Sequence, residues 1–344
     1  MARRLLHLVG SPVDEFFADL SRLYAGGCLD ALAGDDRFEH VIAHVSPDRA
    51  WTFPADLQAS TIAEAEHLDV AGAIAHIRSL DVDAVLPQMF CRPGMTAYRS
   101  LFAVLGIDVI GNTAEVMAVA ADKAQARAVV AAAGVAVPAG EVVTRGDTPG
   151  LAPPVVVKPV DADNSVGVTL VTDPTELPRA LEEALAHGTS ALVEEFVPLG
   201  REVRCGIVVR DAELVCLPLE EYAVDAESAP IRTPRDKLSR GDDGDLFLVA
   251  KTTDRAWIVP DDDPVVARVH EAARRAHTAL GCRHYSLFDF RIDPDGRPFF
   301  LEAGPYCSFS PGSVIAVMAA AAGMDLTTLF DTVLHELDRE RATA

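Results

Sequence analysis

The chain has 344 residues, 49% of them hydrophobic, which is enough for two or three domains with substantial cores. Its formal net charge of −22 argues against nucleic acid or an anionic membrane as a general partner, and its six cysteines lack the paired spacing of a zinc site or a disulfide framework. No stretch approaches the roughly 20 apolar residues of a membrane span, so we expect a soluble cytoplasmic protein.

Short apolar runs alternate with helical patterns in the first third of the chain. The runs are Leu5–Val9, His40–Val45, Ala84–Leu86 and Leu105–Ile110. Helical patterns cover about 14–25, 60–80 and 96–105. Strands that alternate with helices are typical of a parallel sheet covered on both faces, so we expect an N-terminal α/β domain. Arg92 follows the third run, where open α/β sheets place ligands, and could meet a substrate carboxylate or remain a solvated loop residue.

An alanine-rich helix that ends at Gly134 contains Lys123, and a second strand-rich unit follows it. In this unit the strand Val155–Lys158 is followed by the polar loop 161–168 and the strand Thr169–Val171. Such a loop can fold over phosphates, with Ser165 and backbone N–H groups donating, or it can be an ordinary hairpin. Glu195 and Glu202 lie seven residues apart around the Phe196–Pro198 backbone, which could hydrogen-bond an adenine. The alternative for the two glutamates is surface charge.

Lysine is rare in this chain. Only Lys123, Lys158, Lys237 and Lys251 occur, so each is a candidate for a role that needs a compact positive charge. One of them lies in the long polar stretch 220–245, together with Arg232, Arg235 and Arg240. A cluster of cations in so acidic a protein indicates an anion-facing flap, with a disordered charged loop as the alternative.

Two alternating apolar runs, Tyr285–Ile292 and Pro298–Leu301, flank a strong turn sequence and predict a hairpin. Asp289 and Arg291 share one face of the first strand, and Glu302 at the end of the second could meet Asp289 across the pair. Two carboxylates in an apolar hairpin favour a bound cation such as Mg²⁺. An edge hairpin with two solvated acids is the other interpretation.

From about Ala84 to Gly323 the chain resembles the ATP-grasp superfamily, and within it the D-alanine–D-alanine ligase-like carboxylate–amine ligases. The resemblance rests on the order and spacing of Asp122-Lys123, VVVKPVDADNSVGV, VEEFVPLGRE, and DFRIDPDGRPFFLEAG followed by Ser310-Pro311-Gly312. It implies a combined α/β and α+β fold in three parts. These are an N-terminal parallel α/β domain (1–112), a small central lid domain (113–197) and a C-terminal antiparallel-sheet domain (198–344).

The resemblance also implies the cofactors, ATP with Mg²⁺ or Mn²⁺, and assigns residues to them. Nucleotide contacts fall on Lys123, Lys158, Asn164, Ser165, Gly167, Glu195, Phe196, Val197, Glu202 and Lys237, metal binding on Asp289 and Glu302, and substrate contacts on Ser310 and Gly312. Lys237 would reach the terminal phosphate and is also a catalytic candidate. A homodimer is common in such a family, so we expect one here.

Several positions depart from the family pattern. The arginine that those ligases carry two residues before the metal aspartate is Leu287 here, and we expect Arg291 to supply its charge instead. Their metal-binding asparagine is Gly304, and the glutamate that holds their first substrate's ammonium is Met95. These departures argue against D-alanyl–D-alanine synthesis.

We therefore expect an ATP-dependent ligase that joins two amino acids through an acyl phosphate, giving a dipeptide or a γ-glutamyl amide. Arg92, Arg201, Arg232 and Arg235 could bind the additional carboxylate of a glutamate-like substrate. Two alternatives stay open: a ligase for a non-amino-acid carboxylate, and a catalytically impaired nucleotide-binding protein.

Overall fold

The computed structural model describes residues 2–162, 165–225, 230–231, 238–240, 246–248 and 255–343. Residues 2–112 form an α/β unit around a sheet of strand order β3-β2-β1-β4-β5. Strands β1, β2, β4 and β5 are parallel, as predicted, and β3 is antiparallel to β2. The elements are β1 (Arg3–Gly10), α1 (Glu15–Leu32), β2 (Phe38–Val45), β3 (Trp51–Thr52), α2 (Ala59–Glu64), α3 (Val70–Ser79), β4 (Ala84–Pro87), α4 (Arg92–Met95), α5 (Ala97–Val104) and β5 (Asp108–Val109).

A pair of helices leads into a small antiparallel sheet of order β6-β9-β7-β8. One face of this sheet is packed by α8, whose Ala180 and Ala184 lie among the buried valines of the strands. The elements are α6 (Ala114–Ala120), α7 (Lys123–Ala132), β6 (Gly140–Thr144), β7 (Val155–Pro159), β8 (Thr169–Val171), α8 (Leu177–Ala186) and β9 (Ser190–Glu195).

The third unit is a larger antiparallel sheet of order β15-β12-β10-β16-β17, with β11 also paired to β10. Its even-numbered β16 residues Phe288, Phe290 and Ile292 pack under α9, while Tyr285 and Leu287 face α10 and α11. The elements are β10 (Arg201–Arg210), β11 (Glu213–Cys216), β12 (Glu220–Tyr222), β13 (Leu238–Arg240), β14 (Leu246–Leu248), β15 (Ala256–Ile258), α9 (Pro264–Leu280), β16 (Tyr285–Ile292), β17 (Pro298–Ala303), α10 (Val314–Ala321) and α11 (Leu326–Thr343).

The predicted hairpin forms between β16 and β17. Its turn is closed by a hydrogen bond from the Asp293 N–H to the Arg297 carbonyl (3.1 Å), and the Asp293 carboxylate accepts the Asp295 and Arg297 N–H groups. A register shift after Asp289 leaves Leu301 as an additional residue on β17. Such a bulge turns Leu301 and Glu302 toward the same cavity, which strict alternation would not allow.

Three predicted elements differ in the structure. The helical pattern at 60–80 is two helices, α2 and α3, because Asp69 caps a new helix by accepting the Gly72 N–H (2.8 Å). The alanine-rich helix is also two, since Asp122 caps α7 and makes Lys123 its first residue. The stretch 220–245 is not wholly without regular structure, because β12 and β13 lie in it. The three domain boundaries stay a prediction.

Within the described residues no single helix is long and apolar enough to cross a membrane. Helices α10 and α11 pass that test of length and composition only as a joined pair, which is bent by 105°. In this structure their side chains Met318, Leu329 and Phe330 lie in the apolar core beneath the large sheet.

Candidate active site

A cavity with an empty volume of about 840 Å³ lies between the small central sheet and the large sheet. Residues from both sheets and from α7 line it, and they include most of the predicted nucleotide and metal residues. Those predicted from sequence that line it are Lys123, Lys158, Ser165, Glu195, Phe196, Val197, Glu202, Asp289, Arg291 and Glu302. Positions up to 179 residues apart in sequence thus converge on one space.

Four charged side chains form a row across the large sheet, and two of them, Asp289 and Glu302, line this cavity. Glu220 on β12 pairs in register with Arg204 on β10, Arg204 with Asp289 on β16, and Asp289 with Glu302 on β17. Residues that are directly opposite on neighbouring strands point to the same face, so the four side chains are neighbours. We call Glu220, Arg204, Asp289 and Glu302 the charged row.

Asp289 and Glu302, the two acids of the charged row that line the cavity, are close enough to influence each other. Burial raises the pKa of Asp289 to about 6, with Arg204 opposing the rise and Glu302 adding to it. Two carboxylates that converge in a buried site provide the hard oxygen ligands that Mg²⁺ or Mn²⁺ prefers. The residues therefore fit a divalent cation at this end of the cavity.

Arg204 is one of the residues near the site that the sequence analysis missed. Its Nε and Nη2 both donate to the Asp289 carboxylate, the second at 3.2 Å, and its guanidinium lies over the Tyr222 ring at 5.2 Å. Burial works against the charge of Arg204, but Asp289 outweighs it and raises the pKa of the arginine. Residues two apart on a strand share a face, so the candidate Glu202 on β10 indicates that Arg204 faces the same side, and this signal could have found it.

Arg291 lies on the predicted face, but its guanidinium does not reach the acid pair by any contact found among the described residues. It donates instead to the Val197 carbonyl (3.0 Å), to Glu202 (3.1 Å) and to the Pro230 carbonyl (2.7 Å), and it stacks on Phe196 at 5.0 Å. The expectation that Arg291 replaces the arginine missing at 287 is therefore corrected. Its position is at the other end of the cavity, beside the predicted adenine and ribose contacts.

The two lysines that line the cavity each face a carboxylate. Lys158 Nζ lies 2.6 Å from Glu194, a buried acid that the sequence analysis did not select and that also pairs with Arg127 at 3.1 Å. Lys123 donates to the Ala162 carbonyl and lies 3.7 Å from Glu302. Lys123 therefore connects the polar loop after β7 to the acid pair on the large sheet.

The phosphate-loop prediction is only partly visible. Ser165 lines the cavity with a positive φ of 60°, while Asn164 and its neighbour Asp163 lie outside the described residues. Gly167 also has a positive φ, and a Cβ there would come within 2.9 Å of His187 and Pro159. The loop can therefore turn this tightly only with glycine at 167.

The predicted substrate residues lie outside the cavity. Arg92 is about half exposed and its Nη1 is 3.8 Å from Asp161, at the start of the polar loop. Ser310 is buried against Gly27 of α1, and Gly312 precedes α10. Arg201 pairs with Glu221 (2.5 Å) and Asp263 (2.7 Å) away from the cavity, so the expectation that it binds a substrate carboxylate is corrected. The remaining basic candidates, Arg232, Arg235 and Lys237, lie outside the described residues.

Cys307 lies in the same loop as Ser310 and is 3% exposed. Burial raises the pKa of its thiol to about 12. A thiol that is buried and held protonated is a poor nucleophile, which agrees with the interpretation of Cys307 as a small core residue.

Comparisons with known proteins agree with this geometry. Residues 142–335 match the family described as D-ala D-ala ligase C-terminus. The vancomycin B-type resistance protein VanB of Enterococcus faecalis is 30% identical, covering 74% of this chain and 72% of that protein. D-alanine–D-alanine ligase A of Mesorhizobium japonicum is 29% identical over 94% of this chain and 95% of its own length.

Solved structures show the same fold. The VanG D-Ala:D-Ser ligase from Enterococcus faecalis superposes with a TM-score of 0.76 at 23% identity, covering 97% of this chain and 99% of that one. A D-alanine–D-alanine ligase from Bacillus anthracis complexed with ATP gives 0.73 at 18% identity, with 99% of each chain covered. The chain belongs to the D-alanine–D-alanine ligase family of the ATP-grasp fold and is an ATP-dependent carboxylate–amine ligase that uses a divalent metal.

Proposed function

We propose that this ligase joins two amino acids other than a pair of D-alanines, and that Mg²⁺ is its metal. The observation that supports the metal and the phosphoryl transfer is the charged row, in which a cation stands next to the two acids that line the cavity, an arrangement that suits stabilisation of a transferring phosphoryl group. Lys123 and Lys158 then contact the phosphates, and Asp289 with Glu302 hold the metal. Bound there, the metal would neutralise the phosphate oxygens and the two acids.

The other end of the cavity suits the base and the ribose. Glu202, oriented by Arg291, accepts hydrogen bonds from the ribose hydroxyls, and Phe196 packs against the adenine. Because Pro198 has no N–H, the hydrogen bonds to the adenine come from the other backbone groups of this segment and from Glu195.

The chemistry has two steps. A substrate carboxylate oxygen attacks the γ-phosphorus, the bond to the bridging oxygen breaks with its electron pair going to ADP, and an acyl phosphate forms. An amine nitrogen then attacks the acyl carbon and loses a proton to water, and the carbon–oxygen bond breaks to release phosphate and leave an amide. Both steps concentrate negative charge, which the lysines and arginines around the cavity stabilise.

Three positions at which this chain departs from the family pattern support a substrate pair that differs from two D-alanines. Leu287 is buried in the apolar core, Gly304 offers no side chain, and Met95 is buried in α4. A site that exchanges an arginine, an asparagine and a glutamate for these residues cannot hold the same charged groups in the same way. Because Arg92 already faces Asp161, a dipeptide product is favoured over a γ-glutamyl amide.

The test is ATP-dependent phosphate release over a matrix of amino-acid pairs, with mass spectrometry of the products. We expect release only when both partners are present, with a mass that corresponds to loss of one water between them. Release with a non-amino-acid carboxylate would favour the broader ligase alternative. No release with any pair would favour the impaired nucleotide-binding protein. We further propose that the protein is cytoplasmic and forms a homodimer. Sedimentation of the purified protein tests the homodimer.

A further inference from the structure

The face of the large sheet that carries the charged row continues into apolar packing on one side. Leu287, two residues before Asp289, is 7% exposed and shares a core cluster with Leu217 and Met318. Gly206, opposite Leu287 on β10, is tightly packed, because a Cβ there would lie 3.1 Å from Leu217 and 3.2 Å from Met318, whose side chains would have to shift. The position two residues before the acid therefore contributes no charge to the cavity.

A cation nevertheless stands beside the acid pair, on the neighbouring strand. Arg204 is directly opposite Asp289, whereas Leu287 is two residues along the same strand. Opposite residues have Cβ atoms about 5 Å apart and residues two apart on one strand are about 6.5 Å apart, so an arginine at either position can bring its guanidinium to the same region. A positive charge therefore lies beside Asp289, and it comes from Arg204 on β10 instead of from position 287 on β16.

The surroundings of Arg204 hold its guanidinium in place. Its side chain is 14% exposed, both of its donors to Asp289 come from the same planar edge, and the Tyr222 ring covers it at 5.2 Å. A cation held on several sides loses little conformational entropy when a reacting group arrives, which is what stabilisation of a developing charge requires.

We propose that Arg204 is a catalytic residue of this enzyme, which contacts the transferring phosphoryl group and then the oxyanion of the acyl intermediate. This rests on the ligase chemistry proposed above. In the first step its N–H groups stabilise the equatorial oxygens while the bond from phosphorus to ADP breaks. In the second they hold the negative oxygen that forms as the amine adds, until the carbon–oxygen bond to phosphate breaks.

The experiment uses ADP with Mg²⁺ and aluminium fluoride, a mimic of the transferring phosphoryl group that needs no knowledge of the amino acids. For the wild-type protein we expect ADP to bind at least about 10-fold more tightly when aluminium fluoride is present. In Arg204→Met we expect ADP alone to bind within about 3-fold of wild type and the gain from aluminium fluoride to be lost.

Arg201→Met is the matched control. Arg201 lies on the same strand and is also half-buried in ion pairs, but its partners are Glu221 and Asp263, which do not line the cavity. The partner of Arg204, Asp289, does line it. Its loss removes comparable interactions from the fold, so we expect the aluminium fluoride gain to persist. If Arg204→Met keeps the gain, if both variants lose it equally, or if the wild type shows none, the assignment of Arg204 is wrong.

Chemical rescue separates a catalytic from a structural role. Once an amino-acid pair is found, we expect Arg204→Ala to lower kcat by about 100- to 1000-fold with little change in KM for ATP. Guanidinium ions at millimolar concentration should raise the kcat of Arg204→Ala at least 10-fold and leave the kcat of Arg201→Ala unchanged. Aluminium fluoride could tighten ADP binding in the wild type and not in Arg204→Met while no amino-acid pair is turned over. That result would contradict the proposed substrates and still support the role of Arg204.

Discussion

At the scale of single residues, the charges of the cavity are arranged as pairs whose partners come from different elements. Glu194 is 4% exposed at its side chain and lies between Lys158 (2.6 Å) and Arg127 (3.1 Å). Buried ion pairs of this kind contribute little to net stability, because desolvation of both charges offsets their attraction. Their presence around an 840 Å³ cavity is better explained by a charged ligand that uses them.

Arg291→Met should weaken nucleotide binding more than turnover. The change removes the hydrogen bonds that Arg291 donates to Val197 and Glu202, and a hydrogen bond to a charged group contributes about 1.5 to 3 kcal/mol. We therefore expect KM for ATP to rise about 10-fold or more while kcat changes less, as steady-state kinetics at varied ATP will show.

Arg297→Met is the control for this prediction. Arg297 stacks on Phe299 at 4.9 Å on the same hairpin, but it is exposed at the turn and does not line the cavity. We expect its KM for ATP to equal that of the wild type. An equal rise in both variants would mean that Arg291 acts through the stability of the hairpin.

At the scale of the elements, caps and close approaches set where the site residues stand. Asp122 accepts the Gln125 N–H at 2.9 Å and so begins α7 at Lys123, which is the reason that this lysine projects from a helix end toward Glu302. The Asp122 cap therefore both stabilises the start of α7 and fixes the position of Lys123.

Asp122→Ala should cost about 1 kcal/mol of unfolding free energy and also weaken ATP binding, because the first turn of α7 frays. Asp69→Ala removes a matched cap, which accepts the Gly72 N–H at 2.8 Å in α3. We expect the same loss of stability from it with unchanged ATP affinity. Urea denaturation and titration calorimetry with ATP test both, and equal effects on ATP affinity would refute the link to Lys123.

Two adjacent glycines of α1 offer a second matched pair. A Cβ at Gly27 would lie 2.4 Å from the Ser310 hydroxyl oxygen, whereas a Cβ at Gly26 meets nothing within 4 Å. Both changes to alanine gain about 0.5 to 1 kcal/mol of helix propensity. Gly26→Ala should therefore be neutral or stabilising, while overpacking should make Gly27→Ala destabilising by about 1 to 3 kcal/mol.

Chemical denaturation measures both effects. If Ser310 contacts a substrate, Gly27→Ala should in addition raise KM for an amino acid without changing KM for ATP. A Gly27→Ala protein as stable as Gly26→Ala would show that the loop around Ser310 moves aside freely.

At the scale of the whole molecule, buried histidines determine the response to acid. Burial lowers the pKa of His7, of His44 and of His277 to about 4 each. Between pH 6.5 and 4 the unfolded chain binds protons at these sites and the folded chain does not, so stability falls as the pH falls. Each histidine can lower the unfolding free energy by up to about 3 kcal/mol, a loss that is absent above pH 6.5 and grows as the pH falls toward 4.

Asp289 acts in the opposite direction, because its raised pKa lets the folded protein bind a proton near pH 6. Three histidines outweigh one carboxyl, so we expect the unfolding free energy to decrease steadily from pH 7 to pH 4.5. Urea denaturation at several pH values measures it. His277→Asn should make this decrease shallower, whereas the exposed His335→Asn should not. A pH-independent unfolding free energy would contradict the prediction.

Much of the architecture follows from local patterns in the chain. Alternation predicts the parallel N-terminal sheet and the hairpin at Tyr285–Ile292, because strand periodicity and turn residues are properties of neighbouring positions. Helix breaks at Asp69 and Asp122 were missed, since a capping aspartate inside an amphipathic pattern changes the helix without interrupting its hydrophobic period. Strand β6 was missed as well, because its half-exposed residues lack a clear alternation.

The sequence by itself determined the chemical inventory of the site: the scarce lysines, the acids of the hairpin and the family to which the chain belongs. Only the tertiary structure decided which charges meet. Arg204 and Asp289 are 85 positions apart and become neighbours because β10 and β16 pair in one register. Register is fixed by hydrogen bonds and by the packing of both faces, neither of which a local pattern contains. The same pairing directs Arg291, which shares a strand face with Asp289, to Glu202 instead of the acid pair.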